Sequence, residues 1–278
     1  VIHDAETAVR FGKELQLLLC YLGAGEANME KGEMRVEANV SIAPKGKRGV
    51  KVEVKNLNSF RSVEKAIAYE IKRQSELLEG GEKVAQETRG WDDVKQETYS
   101  QRLKEESHDY RYFPDPDLPK LCISEIPEFS GENLEKELPE LPWQRRKRYL
   151  ELGLKEEDAE MYVSDRRYGN FFDALSPHLV AKLPSGGKNI LLATNYISSD
   201  LAGLIKNSSN SEMEIPVSPE NFAKLVTMIS QNKISSRGAK DILAMLFEND
   251  ADPEKLALEK GLLQESDPEA LRKIVKEV

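Results

Sequence analysis

Two neighbouring stretches of strict alternation do most to limit what this chain can become. In "MRVEANVSIAP" (34–44), Met34, Val36, Ala38, Val40 and Ile42 fall on one side and Arg35, Glu37, Asn39 and Ser41 on the other. "VKVEVKN" (50–56) repeats the pattern, with Lys51, Glu53 and Lys55 polar, and "PKGKRG" between them is a turn. A period of two is that of a strand with one dry face, so the pair predicts a β-hairpin whose other face is wet. Both strands must turn their apolar residues the same way, so paired residue numbers sum to an even value. A sum of 92 places Glu37 opposite Lys55 and Asn39 opposite Glu53; a sum of 94 places Asn39 opposite Lys55. The first is preferred because opposed Glu and Lys attract.

Around this hairpin the chain mixes helices and strands. Residues 4–22 predict a helix with Val9, Leu15, Leu18, Leu19 and Leu22 on its apolar face. "NLNSFRSVEKAIAYEIKRQSELLEGG" predicts another, capped by Asn58 or Ser59 and ended by Gly80-Gly81. Its buried stripe is expected to be Phe60, Val63, Ile67, Ile71 and Leu78. A second hairpin is expected over 84–103, turning at Asp92-Asp93. No βαβ rhythm is evident, so residues 1–137 are expected to form an α+β domain. After "ELPELP" the pattern becomes helices on short loops, and 138–278 is expected to be a helical domain. A polar segment, "NSSNSEMEIPVS", precedes a second helical group from about residue 216. Ser218-Pro219 and Asp267-Pro268 are cap-then-proline starts for two of its helices.

Composition excludes several classes. The 278 residues carry a formal charge of −9, and both parts of the chain are acidic. Any nucleic acid would therefore have to meet a local basic patch. No apolar run approaches the ~20 residues of a membrane helix. The first residues lack the regions of a signal peptide, and the chain starts at Val1, as a fragment would. The 2 cysteines, Cys20 and Cys122, form no C-x-x-C and read as reduced thiols of a cytosolic protein. The 3 histidines are isolated, which argues against zinc. "SGGKN" (185–189) lacks the first glycine and the Ser/Thr of a phosphate loop and is expected to be an interhelical turn.

Three places carry possible chemistry. The wet hairpin face mixes Arg35, Glu37, Asn39, Ser41, Lys51, Glu53 and Lys55, which also suits a plain solvated sheet face. "SHDYRYFPDPD" (107–117) is stiffened by Pro114 and Pro116, and is expected to place Asp115 and Asp117 on one side. Its oxygens suit Mg²⁺ and Arg111 suits a phosphate or carboxylate; an Asx-turn loop with an internally paired arginine fits the same residues. "WQRRKRY" (143–149) offers Arg145, Arg146, Lys147 and Arg148 on a helix, with Arg145 and Arg148 able to share a face. A solvated helix or a contact to a nucleic-acid backbone would use them, and "KISSRGAK" adds Arg237 and Lys240 more weakly.

Together, "MRVEANVS", "EVKNLNSF", "QETRGWD", "RLKEESHDYRYFPDPDLP", "ELPELPWQRRKRY" and "KISSRGAKDIL" closely resemble the B-type component of the aspartyl/glutamyl-tRNA(Asn/Gln) amidotransferases, the GatCAB complexes. The resemblance implies a ligase component in the cytoplasm that works with the amidotransferase subunits A and C. It would use ATP and Mg²⁺ to phosphorylate the side-chain carboxylate of Glu-tRNA(Gln) or Asp-tRNA(Asn). Ammonia released by the A-type partner then forms the amide. Residues 1–137 would be the later part of its catalytic cradle domain, and the helical region would lead into the part that holds tRNA. Glu37, Asp115 and Asp117 become expected metal ligands, and with Glu53, Tyr110 and Tyr112 they become expected contacts to the nucleotide site. Lys55, Arg89, Arg102 and Arg111 are expected at phosphate or acceptor carboxylate, with Asn39, Asn56 and Asn58 orienting them. Arg145, Arg146, Lys147, Arg148, Arg237 and Lys240 are the expected tRNA contacts. Glu37 stands where the family's "R-x-D-x-N" has Asp, and Gln101 where methionine is common. The family's cradle begins upstream of Val1 and its tail domain follows Val278, so the chain alone is not expected to catalyse. A non-catalytic tRNA-binding scaffold and a small-molecule carboxylate–amine ligase are the alternatives.

Overall fold

In a computed structural model, the structure describes residues 1–103, 114–180, 186–208 and 214–264. It is α+β and divides into two units, Val1–Pro142 and Trp143–Val278. The division follows the prolines of "ELPELP", where one helix ends at Glu137 and the next starts at Pro142.

The first unit is built on a four-stranded sheet: β1 (Val36–Val40), β2 (Val52–Leu57), β3 (Glu87–Asp92) and β4 (Glu97–Leu103), in that spatial order. Helix α1 (Ala5–Tyr21) starts at Asp4, whose carboxylate accepts from the Thr7 N–H at 2.7 Å. Helix α2 (Phe60–Glu79) starts at Ser59, not Asn58, and stops at Gly80. The outer pairs β1–β2 and β3–β4 are antiparallel, but β2 and β3 are parallel with α2 as their crossover. One βαβ unit is thus present where none was expected; its signal was hidden because antiparallel hairpins flank it on both sides.

The hairpin register is the 92 sum, with Ala38, Asn39 and Val40 opposite Val54, Glu53 and Val52. Parity then breaks at a bulge, and Val36 lies opposite Leu57. The inserted residue is Asn56, with φ +64°. Asparagine tolerates that left-handed conformation, and the extra residue turns Leu57 back into the dry side, where it is buried.

That dry side packs against the helices through Val9, Ala38, Val40, Val54, Leu57, Val63, Ala66 and Trp91. The buried line of α2 differs from the expected stripe. It comprises Ser62, Val63, Ala66, Glu70 and Gln74, while Phe60, Ile67 and Ile71 are half-buried and Leu78 is exposed. A carboxylate and an amide replace apolar residues there because Arg73 on the helix and Arg89 on the sheet both reach that carboxylate.

In the second unit, α4 (Pro142–Glu151), α5 (Glu156–Ser164), α6 (Arg166–Val180) and α7 (Gly186–Tyr196) precede a π-helical turn, Ile197–Leu201, and α8 (Ala202–Asn207). Between the sheet and α4 the one α-helix is α3 (Gly131–Glu137), among the described residues. The described part of α7 runs from Gly186, so both "SGGKN" glycines are helical. Helices α9 (Pro219–Ser230), α10 (Ser236–Glu248) and α11 (Pro253–Glu259) follow, and α9 packs on α6 and α7. Asp252 caps α11 with the same cap-then-proline grammar as Ser218, a start not anticipated; the Asp267-Pro268 start lies outside the described residues. An aromatic cluster fills the first half, with Tyr162 stacked on Phe172 at 4.6 Å and Tyr149 edge-on to it at 5.4 Å. Among the described residues no helix is long and apolar enough to cross a membrane.

Candidate functional site

Alternation along the strands sends Glu37, Asn39, Glu53, Lys55, Thr88 and Tyr99 to the sheet face opposite α2. Across β2 and β3, Glu53 pairs with Thr88 and Lys55 with Gly90; across β3 and β4, Gly90 pairs with Tyr99. The Lys55 ammonium lies 3.4 Å from Glu37 Oε1 and 3.7 Å from Glu53 Oε1. The Thr88 hydroxyl donates to the second Glu53 oxygen at 3.1 Å. Glu37, Lys55, Glu53 and Thr88 therefore form one chain of polar contacts over three strands. Lys55 and Glu37 are about half exposed while Glu53 is mostly covered. Exposed pairs of this kind contribute only ~0–1 kcal/mol each, so the fold does not depend on them.

Gly90 sets the floor beside Lys55. A Cβ there would stand 2.5 Å from the Tyr99 ring and 2.7 Å from Gln101 Nε2. Tyr99 and Gln101 hence lie across the β3 backbone, and Gln101 Nε2 reaches the Tyr99 hydroxyl at 3.4 Å. Sequence reasoning missed Thr88, Gly90 and Tyr99 because only the β2–β3 register aligns them with Lys55.

Several expected site residues lie elsewhere. Arg89 pairs across from Val54 and so takes the helix-facing side. There its Nη1 donates to Glu87 at 2.7 Å, its Nε donates to the Thr98 hydroxyl at 2.8 Å, and Glu70 lies 3.2 Å away. It is a structural cation held inside the unit rather than a contact on the open face; strand parity alone separates it from Lys55. Glu70, fully buried, accepts a two-pronged pair from Arg73 at 2.9 and 2.8 Å, plus bonds from Gln74 and the Thr98 hydroxyl. Burial pushes its carboxyl up, but the donors from Arg73, Gln74 and Thr98 outweigh that and hold it below the ordinary range.

Asn39 is exposed on β1 opposite Glu53, Asn56 occupies the bulge, and Asn58 precedes the α2 cap. Arg102 pairs with Thr88 across β3 and β4. Tyr110, Arg111 and Tyr112 lie outside the described residues. Asp115 is exposed and turns one oxygen onto the Asp117 N–H at 3.0 Å, an Asx turn. Among the described residues no three His, Cys, Asp or Glu side chains gather as a cation's ligand set.

The α4 guanidiniums turn toward neighbouring helices. Arg145 is buried; it donates to the Tyr149 hydroxyl at 2.7 Å, Asn170 at 3.0 Å and Asp173 at 2.7 Å. Arg148 shares its face, as the spacing predicted, and reaches the same Asp173 at 2.9 Å. Arg146 turns to Glu160 on α5 at 2.7 Å, and Lys147 stands 3.9 Å from Glu151. The helix thus uses these guanidiniums to hold α5 and α6. Lys240 pairs with Asp200 of the π-helical turn at 2.8 Å, which raises its pKa, and Arg237 is exposed in the first turn of α10.

Comparison with known proteins bears on the whole chain. Residues 1–127 match the family model described as the GatB/GatE catalytic domain, and residues 178–278 match the one described as the GatB domain. The polar cluster on the open sheet face lies within the first match. Three similar curated proteins each carry the name of the B-type component of aspartyl/glutamyl-tRNA(Asn/Gln) amidotransferase. That of Crocosphaera subtropica is 41% identical over 99% of this chain and 54% of its own length. That of Prochlorococcus marinus (strain AS9601) is 41% identical over 100% and 55%. That of Persephonella marina is 42% identical over 100% and 57%. The chain therefore spans about half the length of the curated relatives it matches.

Proposed function

Because the chain belongs to the GatB family of tRNA amidotransferase components, we propose that it contributes to ATP-dependent activation of a carboxylate borne by tRNA. The acceptor is the side chain of Glu-tRNA(Gln) or Asp-tRNA(Asn). ATP phosphorylates it, and ammonia supplied through partner subunits A and C displaces the phosphate to leave the amide. Phosphoryl transfer of this kind needs positioning and charge stabilisation, not a protein nucleophile. The observation that supports the reading is the Glu37–Lys55–Glu53–Thr88 cluster on an open sheet face inside the catalytic-domain match.

Lys55 is the group that would meet a phosphate or the acceptor carboxylate. Glu37 and Glu53 hold its ammonium from two sides, and Thr88 fixes Glu53. The described carboxylates do not by themselves complete a magnesium site. Lys55→Met in the full-length protein, assembled with its partners and given misacylated tRNA, tests the reading. Loss of one charge-stabilising donor should lower tRNA-dependent ATP hydrolysis by about 10²–10³. A variant as active as the parent sinks it.

A second reading, a scaffold that binds tRNA without catalysing, draws on the Asx turn at Asp115, which is a structural use of that carboxylate. Asp115→Ala separates the two. Phosphorylation lost with tRNA binding intact favours catalysis; binding lost together with activity favours the scaffold. An activity that persists without tRNA would instead point to a small-molecule ligase.

A further inference from the structure

Strand β4 falls out of step with β3 by one residue. Thr88 lies opposite Arg102 but Arg89 lies opposite Ser100, so Gln101 is the extra residue of a β-bulge. A bulged residue is left out of the ladder and its strand bends there, so its side chain is free to lean away from its own strand; bulges recur beside active sites for that reason.

Gln101 leans across β3 at Gly90. A Cβ on Gly90 would stand 2.6 Å from the Tyr99 hydroxyl and 2.7 Å from Gln101 Nε2, so two polar tips converge on the space this glycine leaves open. Gly90 pairs with Lys55 on one side and with Tyr99 on the other. Neighbouring strands are ~4.8 Å apart, so the notch lies one strand from the Lys55 backbone. Both side chains are exposed, and Gln101 Nε2 meets the Tyr99 hydroxyl only at 3.4 Å. That is the one side-chain hydrogen bond of the carboxamide among the described residues. A bond of that length is weak, so most of the donor capacity of the two groups is uncommitted.

What these tips can meet follows from their neighbour. Glu37 and Glu53 already share the Lys55 ammonium, at 3.4 and 3.7 Å. An anionic oxygen arriving beside Lys55 therefore needs further donors. Another cation would be drawn to the two carboxylates, whereas an amide N–H and a phenol O–H supply hydrogen bonds without adding charge.

We propose that Gln101, seconded by Tyr99, contacts the substrate: over Gly90 the two form the neutral side of an oxygen subsite whose cationic side is Lys55. The oxygen it takes belongs to the acceptor carboxylate or to the γ-phosphoryl group which that carboxylate receives. This deepens the reading of the sheet face and rests on it. In the transfer, a carboxylate oxygen gives an electron pair to the γ-phosphorus while the bond from that phosphorus to the β–γ bridging oxygen breaks. ADP leaves with the electrons of the broken bond, and no proton moves. Charge spreads over the phosphoryl oxygens in transit, and donors already in place act on it there.

The test uses the full-length protein assembled with subunits A and C, with misacylated tRNA and ATP. Gln101→Met keeps the length of the side chain and removes its donor; Gln101→Glu keeps the shape and sets a negative charge at the subsite. The side chain is exposed, so Tm should match the parent in both. For tRNA-dependent ATP hydrolysis, kcat/KM should fall about tenfold in Gln101→Met. It should fall about a hundredfold in Gln101→Glu, where like charges meet. A raised KM for charged tRNA alone assigns the oxygen to the carboxylate, and a raised KM for ATP alone assigns it to the γ-phosphate. A fall in kcat with both KM values kept places the contact in the transition state. Gly90→Ala, which displaces both tips, should lose at least as much as Gln101→Met. Equal losses in Gln101→Met and Gln101→Glu would mean a role in shape, and activity within twofold of the parent in both would mean no role; either overturns the proposal. Lys55→Met, run in parallel, keeps the two readings apart. If it is inactive while the Gln101 variants are fully active, this contact alone falls; if it is active, the site falls and the contact with it.

Discussion

Replacing Glu70 with glutamine probes the polar network that the helix-facing side of the sheet buries. Four groups aim hydrogens at its two oxygens or stand against them: Arg73, Gln74, Thr98 and Arg89. Glutamine keeps one oxygen and sets an NH₂ against donors on the other side. It also removes one of the two carboxylates, the other being Glu87, that both arginines meet. Breaking a fully buried pair costs ~3–5 kcal/mol. Here Glu87 remains, and the Arg73 and Arg89 side chains keep 19% and 12% of their exposure, so the loss is partly compensated. An expected cost of about 3 kcal/mol follows, which for a unit of this size lowers Tm by roughly 10 °C. Trp91, buried in the same core, reports the transition in urea by fluorescence when the exposed Trp143 is replaced by Phe. The pH dependence has a defined sign. Because the folded carboxyl titrates below its ordinary value, its stabilisation is complete above the unfolded value of about 4.3 and is lost as the pH falls below it. The parent should therefore lose stability on acidification by a component that Glu70→Gln lacks. A cost under about 1 kcal/mol, or parallel acid profiles for parent and variant, would refute this account.

Three further outcomes are expected. Asn56→Gly should leave stability within about 0.5 kcal/mol and Asn56→Val should lower it by about 1–2 kcal/mol, by urea denaturation, because φ at the bulge is +64°. Gly169→Ala should destabilise the helical unit by about 2–3 kcal/mol in the same assay, since a Cβ would stand 2.3 Å from the Tyr162 carbonyl oxygen and 2.9 Å from Arg145 Nη2. Asp173→Asn should cost about 3 kcal/mol at neutral pH, by removing the carboxylate that buried Arg145 meets at 2.7 Å. Burial pushes the Asp173 carboxyl up, but Arg148, Arg145 and Tyr149 lower it further, so thermal scans of the two proteins should converge as the pH falls below about 4.

The candidate site was partly legible. Glu37, Glu53 and Lys55 could be placed on one wet face because side-chain direction follows from parity, and the 92 register was chosen correctly on a single ion pair. Arg89 could not be sorted by type: a guanidinium two residues from Glu87 suits a phosphate as well as a buried carboxylate. Its face depended on the β2–β3 register, set across a helix of 20 residues. The partners of the α4 arginines were hidden for a similar reason, since Asp173, Asn170 and Glu160 lie on other helices.

What the amino-acid order determined unaided is whatever works over a few residues. It determined the alternation of the hairpin, the cap at Ser218, the choice of Asn58 or Ser59 for the α2 cap, the stop at Gly80-Gly81 and the change to helices after "ELPELP". Only the tertiary structure decided that β2 and β3 run parallel, that Leu57 turns inward past a bulge, and that Arg89 and Arg145 are interior. The physical reason is range. Dihedral preference and capping act between neighbours, whereas the partner of a buried charge is selected by desolvation among groups far apart in the chain.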